Sequence, residues 1–250
     1  MTSPHSPSAA HLDERLDARL DAVLARLDTA AERVGRDPRE ILVLLATKTR
    51  AAAEIVDAVR ALHGRGRRVA VGENRAQEIA THEDPALAAL ESELAVPRHF
   101  VGRLQRNKAR DVVAFASLIH SVDRAEIIDA LARRAELAGL ERDVLVQVNT
   151  SGEESKGGFD PDADTISEAV GRIRATGALR PVGLMTIGAH TREESAVRAS
   201  LRRLRTLREE LADPALVELS MGMSSDLEIA VEEGATIVRL GSAVFGPRAV

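Results

Sequence analysis

Apolar residues recur along this chain with two periods, and the two alternate. Residues 11 to 34 place Leu12, Leu16, Leu20, Val23, Leu24, Leu27 and Val34 at steps of three and four, the spacing of one helix face, and Gly35, Asp37 and Pro38 stop it. Short apolar runs of strand length follow at 41–47 (ILVLLAT), 68–73 (RVAVGE), 98–103 (RHFVGR), 117–122 (SLIHSV), 144–149 (VLVQVN), 181–188 (PVGLMTIG), 216–221 (LVELSM) and 236–242 (TIVRLGS). Between them the helical period returns over 51–62, 86–94, 104–115, 124–138, 163–176, 192–211 and 225–233, with Gly139, Gly177 and Gly234 as stops.

Strict alternation of strand and helix predicts parallel strands with right-handed crossovers, and eight such units in 250 residues match a (β/α)8 TIM barrel, an α/β fold. An open doubly wound sheet is the runner-up, but it calls for a glycine-rich first turn where this chain has ATKTR. Only eight residues follow Ser242, too few for a full eighth helix, so the helix at 11–34 is expected to cover that gap. Residues 11–250 read as one barrel domain behind a disordered lead-in at 1–10 that is rich in Ser and Pro.

Composition removes several classes of function. With no cysteine, disulfides, thiolate metal sites and cysteine nucleophiles are excluded. A net charge of −5 and 2% aromatic residues argue against nucleic acid, which would want a basic face and stacking rings. No apolar run approaches membrane-spanning length, so no membrane partner is expected and a cytoplasmic location is. The seven histidines are scattered; His99 and His120 lie inside strands and are expected to be packed or hydrogen-bonded, and no metal is predicted. HGRGRR at 63–68 reads as a solvated basic turn.

The candidate chemistry starts from a scarcity. Of 34 basic residues only Lys48, Lys108 and Lys156 are lysines, and Lys48 stands at the end of the first strand. Lysine, unlike arginine, can lose its proton when desolvated and attack a carbonyl to form a Schiff base. In such barrels the site gathers at the carboxyl ends of the strands, often with a phosphate site after strands seven and eight. Those ends carry Lys48, Glu73 with Asn74, Arg103, Ser121 with Asp123, Asn149, Met185 with Thr186, Ser220 to Ser224, and Arg239 to Ser242. SMGMSSD and RLGSAVFG place glycines and hydroxyls where an anion could be cradled. A lysine opposite a phosphate cradle points to a phosphorylated aldehyde, and pyridoxal 5'-phosphate fits. Arg239 would then lie near the pyridine nitrogen and, unable to give up its proton, leave it unprotonated.

The motifs ATKTR, VGENRAQE, HFVGRLQRNK, SVDR, VQVNTSGEESKGGF, GLMTIG, LSMGMSSDLEIAVEEGAT and VRLGSAVFG resemble those of the pyridoxal phosphate homeostasis (YggS/PROSC) family over nearly the whole chain. The resemblance implies a barrel of the alanine-racemase type with the cofactor held as an internal aldimine on Lys48. It further implies that Asn74, Met185, Ser220, Ser224, Arg239, Gly241 and Ser242 line or hold the cofactor, Ser224 and the Gly241–Ser242 turn taking the phosphate. Arg75 stands where the family commonly has tyrosine, and Arg98, Arg103 and Arg106 depart from its WHFIGPLQSNK, adding charge expected at the barrel mouth.

The function that follows is a carrier without assigned turnover, holding and supplying the cofactor to apo forms of enzymes that use it. A racemase of this barrel type would need a base on each face of the bound amino acid, and the chain has no tyrosine for the second face and stops soon after the eighth strand. A Schiff-base aldolase acting on a sugar phosphate is the other alternative. Lys156, in a glycine-flanked loop, is expected to have an exposed and flexible amine that holds cofactor transiently during release. A monomer is expected.

Overall fold

The computed structural model describes residues 9–153 and 156–247. Eight parallel strands, β1 (Leu42–Ala46), β2 (Val69–Glu73), β3 (Arg98–Phe100), β4 (Leu118–Val122), β5 (Arg142–Gln147), β6 (Leu179–Met185), β7 (Glu218–Ser220) and β8 (Ile237–Leu240), close into a barrel in chain order. Around them run α1 (Ala9–Arg33), α2 (Ala52–Gly64), α3 (Pro85–Glu93), α4 (Ala109–Phe115), α5 (Ala125–Ala138), α6 (Ala163–Ala175), α7 (Glu194–Leu211), α8 (Leu227–Glu232) and a single turn, α9 (Ser242–Phe245). The predicted barrel is therefore observed, and the doubly wound alternative is not.

Alternation along each strand sorts the side chains into two cores. Val43 and Leu45 of β1 and Val69 and Val71 of β2 pack outward against the helices, in the large core between barrel and helix layer. Leu42, Leu44, Ala70, Leu118, Leu145, Met185 and Ile237 point inward and fill the barrel itself. Burying each of the larger of these side chains, the valines, leucines, Met185 and Ile237, is worth about 1.5–3 kcal/mol, so strand register is held by both faces at once.

As expected from the short C-terminus, α1 packs against α8 and α9 and covers the seam beside β8. Arg36, just past its end, donates to Val231 O at 2.8 Å and Ala235 O at 2.7 Å, capping the carboxyl end of α8. Residues 1–8 of the expected lead-in lie outside the described residues, while Ala9 and Ala10 already belong to α1.

The basic turn at 63–68 is less solvated than its composition suggested. Arg65 binds Asp17 and Asp21, and Arg67 binds Asp28, all on α1, so the loop is a clasp between α1 and α2. The segment expected to be helical from 104 begins as a 3-10 turn at Arg106, because Gln105 stays extended with ψ 137°. A second 3-10 helix, Ala76–Glu83, follows β2 where no element was expected.

Candidate functional site

Lys48 lies two residues beyond the end of β1, in phase with the inward-facing Leu42, Leu44 and Ala46, so the strand's own alternation directs it into the barrel mouth. It is half-buried, and among the described residues it makes no hydrogen bond or ion pair. The next residue, Thr49, has a φ of 62°, a left-handed conformation that is costly for a β-branched side chain. The backbone thus turns sharply outward just after the lysine.

Asn74 occupies the equivalent place beyond β2, since Ala46 pairs with Gly72 in register. Its backbone is pressed against Gly102: a Cβ on that glycine would lie 1.7 Å from Asn74 O. Only glycine permits this approach, so the VG of HFVGRLQ is a determinant of where Asn74 sits. Asn74 Oδ1 is buried without a donor, an acceptor left open at the mouth.

The ends of β7 and β8 form one corner. Leu44 pairs with Arg239 in register, and the next inward positions, Ala46 and Gly241, are in contact, a Cβ on Gly241 falling 3.5 Å from that of Ala46. Ser224 Oγ accepts from Ala243 N at 3.3 Å, joining the loop after β7 to the Gly241–Ser242 turn. Gly222, with φ 89°, is held where a Cβ would come 2.3 Å from that of Ala230. Arg26 of α1 donates to Ser224 O at 3.1 Å and binds Glu228, bracing the corner from outside. Sequence reasoning missed Arg26, because nothing in a helix periodicity reveals a partner about two hundred residues away.

Beneath the mouth a directional chain of hydrogen bonds fixes Arg239. This side chain is buried, donating through Nη1 to Ser220 O (2.8 Å) and Ser220 Oγ (2.9 Å) and through Nη2 to Thr186 O (2.8 Å). Arginine can only donate, so Ser220 Oγ accepts from it, and this fully buried hydroxyl is left with His120 Nδ1, 2.8 Å away, as the acceptor for its own proton. His120 then carries its proton on Nε2 and gives it to His99 Nδ1 at 3.0 Å. One guanidinium thereby assigns both tautomers.

Burial holds His99 down to about 3, and burial together with the neighbouring His99 and Arg239 holds His120 well below the usual histidine range, so both stay neutral. Burial lowers Arg239 to about 10, which leaves it a cation at neutral pH. The expectation that His99 and His120 are packed or hydrogen-bonded matches this geometry.

The eight sequence-predicted site residues thus divide by depth. Lys48, Asn74, Ser224, Gly241 and Ser242 reach the mouth. Met185, Ser220 and Arg239 lie below it: Met185 is packed in the inner barrel core at 1% exposure, and Ser220 is fully buried in service of Arg239.

Behind Lys48, in the layer between barrel and helices, lies a polar cluster that was not expected. Thr47 Oγ1 donates to Glu73 Oε1 at 2.6 Å, and His82 bridges Glu73 Oε1 (2.9 Å) and Glu91 Oε1 (2.6 Å). Arg98 binds the other oxygen of Glu91 at 2.6 Å. Arg98 therefore belongs to this interior cluster at the start of β3 and adds no charge to the mouth. Burial acts to lower the pKa of His82, but its hydrogen bonds to Glu73 and Glu91 outweigh it and raise the value.

Lys156 also differs from expectation. Its Nζ donates to Glu153 Oε1 and Gly188 O, both at 2.7 Å, and its side chain is only 16% exposed. The amine clasps the loop after β5 to the loop after β6 and is neither free nor exposed. Among the described residues no group of three or more acidic or histidine side chains is placed to hold a metal ion.

Many known proteins are similar to this chain in sequence or in fold. The family described as alanine racemase, N-terminal domain, matches residues 18–249. The pyridoxal phosphate homeostasis protein of Aquifex aeolicus is 41% identical, covering 92% of this chain and 97% of that one. Its namesake from Pseudomonas aeruginosa is 42% identical over 90% of this chain and 93% of its own. PipY of Synechococcus elongatus PCC7942, solved with PLP bound, superposes with a TM-score of 0.71 at 30% identity, covering 92% of this chain and all of that one. An alanine racemase of Clostridium difficile 630 shares the fold at 13% identity and a TM-score of 0.70, and this chain spans 58% of it. These curated relatives carry the name of a homeostasis protein and not of an enzyme. The chain belongs to the alanine racemase N-terminal domain family and, on that barrel, to the pyridoxal phosphate homeostasis proteins.

Proposed function

We propose that this protein binds pyridoxal 5'-phosphate covalently through a Schiff base to Lys48 and serves as an intracellular holder and supplier of that cofactor, without catalytic turnover of its own. The observation that carries the reading is the half-buried Lys48, in phase with the inward positions of β1 and beside a corner where the loop after β7 is joined to the Gly241–Ser242 turn. The PLP-bound PipY structure, similar along the full length of that chain, supports it.

The residues fit the group. Ser224, Gly241 and Ser242 would hold the phosphate, at the corner where the Ser224 hydroxyl meets Ala243 N. Arg239 would face the pyridine nitrogen with a proton it does not give up, and Ser220, His120 and His99 keep that guanidinium oriented. Asn74 would hydrogen-bond the ring substituents, its open Oδ1 taking a donor that the protein itself does not provide. When bound, the cofactor supplies an aldehyde carbon that can be passed from one amine to another.

Nothing in this set offers a second base opposite Lys48 among the residues named, which suits holding rather than turnover. The recipients we propose are apo enzymes that use the cofactor, met by a monomer in the cytoplasm. The test is the visible spectrum of the purified protein reconstituted with pyridoxal 5'-phosphate. A yellow band abolished by borohydride and missing in Lys48→Ala is expected. A protein that stays colourless would overturn the proposal and bring forward the sugar-phosphate aldolase.

A further inference from the structure

The chain of hydrogen bonds beneath the mouth ends at His99, at the opposite end of the barrel from Lys48. His99 is 4% exposed, and its Nδ1 takes the proton of His120, so its own proton sits on Nε2. Among the described residues Nε2 has no partner. His99 lines a cavity of about 460 Å³, together with the first residues of β1, β2, β4, β7 and β8. With Nδ1 engaged inside the barrel, the Nε2–H donor is the polar atom that His99 has left for this cavity. A buried donor without an acceptor is costly, so the place calls for a group that accepts.

The charged residues around the cavity are arranged by side. Arg67 and Arg68 lead into β2, beside His99 on the adjacent β3, and His63 lies at the end of α2. Asp143 of β5 and Glu218 of β7 supply the acidic groups. Pairing matches two of these charges: Arg67 Nη2 donates to the two oxygens of Asp28 at 2.7 and 2.6 Å, and Arg180 holds Asp143 at 2.6 and 2.9 Å. The Arg68 guanidinium donates to Glu40 O at 2.8 Å and to no carboxylate among the described residues. The Glu218 carboxylate accepts from the hydroxyl of Thr236 and meets no cation among them. One cation at β2 and one carboxylate at β7 are therefore left unmatched, and His63 adds a charge only when protonated.

Between those two strands stand β1 and β8, whose first residues, Leu42 and Ile237, give the cavity an aliphatic floor. Adjacent strands lie about 4.8 Å apart, so β2 and β7 are separated by roughly 14 Å of barrel wall. A ligand that meets both unmatched charges carries its own at the two ends of an aliphatic chain.

We propose that this cavity binds a small ω-amino acid, its carboxylate accepting from His99 Nε2 and Arg68, its ammonium donating to Glu218, its methylenes on Leu42 and Ile237, and that occupancy is transmitted to Arg239. The donors of the chain all point one way: Arg239 to Ser220, Ser220 to His120, His120 to His99, and His99 to the cavity. An anion at the receiving end polarises each bond in turn and tightens the hold on the guanidinium. No covalent bond changes, and the ligand's two charges leave the neutral balance of the cavity as it was. Neither half depends on the cofactor proposed above.

Proton–nitrogen spectra of the histidine rings, taken on the full-length protein without cofactor, read both halves with ε-aminocaproate as the probe. The Nε2–H signals of His99 and His120, assigned with His99→Gln and His120→Gln, are expected to move downfield together and to saturate. Caproate and hexylamine, each lacking one charge, are expected to bind about tenfold more weakly or worse. Glu218→Gln is expected to weaken ε-aminocaproate about tenfold while leaving caproate unchanged, a split that a merely structural effect would not give. Should that variant fail to fold, Arg68→Met tests the same split from the other end, with hexylamine as the unaffected ligand. No saturable movement with ε-aminocaproate overturns the site. Binding of L-leucine, whose charges are adjacent, as tight as that of ε-aminocaproate overturns the ligand class. Movement of His99 with His120 unmoved overturns the transmission.

Discussion

Single residues here act through what they leave their neighbours able to do. Ser220 passes a hydrogen bond from Arg239 to His120, so Ser220→Ala leaves His120 Nδ1 and one guanidinium donor without partners in the barrel interior. Loss of about 1–3 kcal/mol is expected, read from urea unfolding, together with weaker cofactor binding as Arg239 loosens. Charge state is equally local. An unfolded histidine takes up a proton below about 6.5, but folded His99 does so only near about 3, so between these values the unfolded state binds more protons. Stability is therefore expected to fall as pH drops through that window, and His99→Gln should flatten this acid limb in urea midpoints measured against pH. Glu78 has the opposite sign: burial and the charge of Glu73 raise its pKa, which contributes stability that is lost as pH rises through the folded value, so Glu78→Gln should gain on the unaltered protein in alkaline buffer. Lys48 was legible at this scale because arginine had replaced lysine almost everywhere else. Glu73 and His82 were not, since each owes its place in the interior cluster to partners that only the folded geometry brings together.

Elements position these residues, and a few contacts between elements decide how well. The approach of Gly102 to Asn74 O is the tightest at the mouth, and no side chain can enter that gap. Gly102→Ala is expected to move the end of β3 away from β2, destabilising the fold by about 1–3 kcal/mol and weakening cofactor binding more than Asn74→Ala does; thermal unfolding and spectroscopic titration check both. Lys156 joins two loops at the opposite side of the mouth, so Lys156→Met should speed proteolytic cleavage of the loop after β5 while leaving the Lys48 absorption band in place. The periodicities of 2 and 3.6 located all eight strands and the helix that covers the seam, because those periods are imposed by burial on one face or both. They could not show the 3-10 helix at Ala76–Glu83, whose His82 is held by Glu73 and Glu91, or the late start of α4, where Gln105 is extended.

At the scale of the whole molecule the barrel brings the ends of β1, β2, β7 and β8 to one corner, and this convergence is what the order of motifs along the chain could already suggest. Depth could not be read in the same way, because a sequence does not distinguish a polar residue at the mouth from one such as Ser220 that serves a buried arginine. Lys48 as the covalent attachment point is open to one direct measurement, because the chain has only three lysines. The protein reconstituted with pyridoxal 5'-phosphate is reduced with borohydride, digested, and mapped by mass spectrometry. The pyridoxyl mass is expected on the peptide carrying Lys48, with Lys108 and Lys156 unmodified. Label on either of those lysines with Lys48 free, or on no lysine at all, would contradict it.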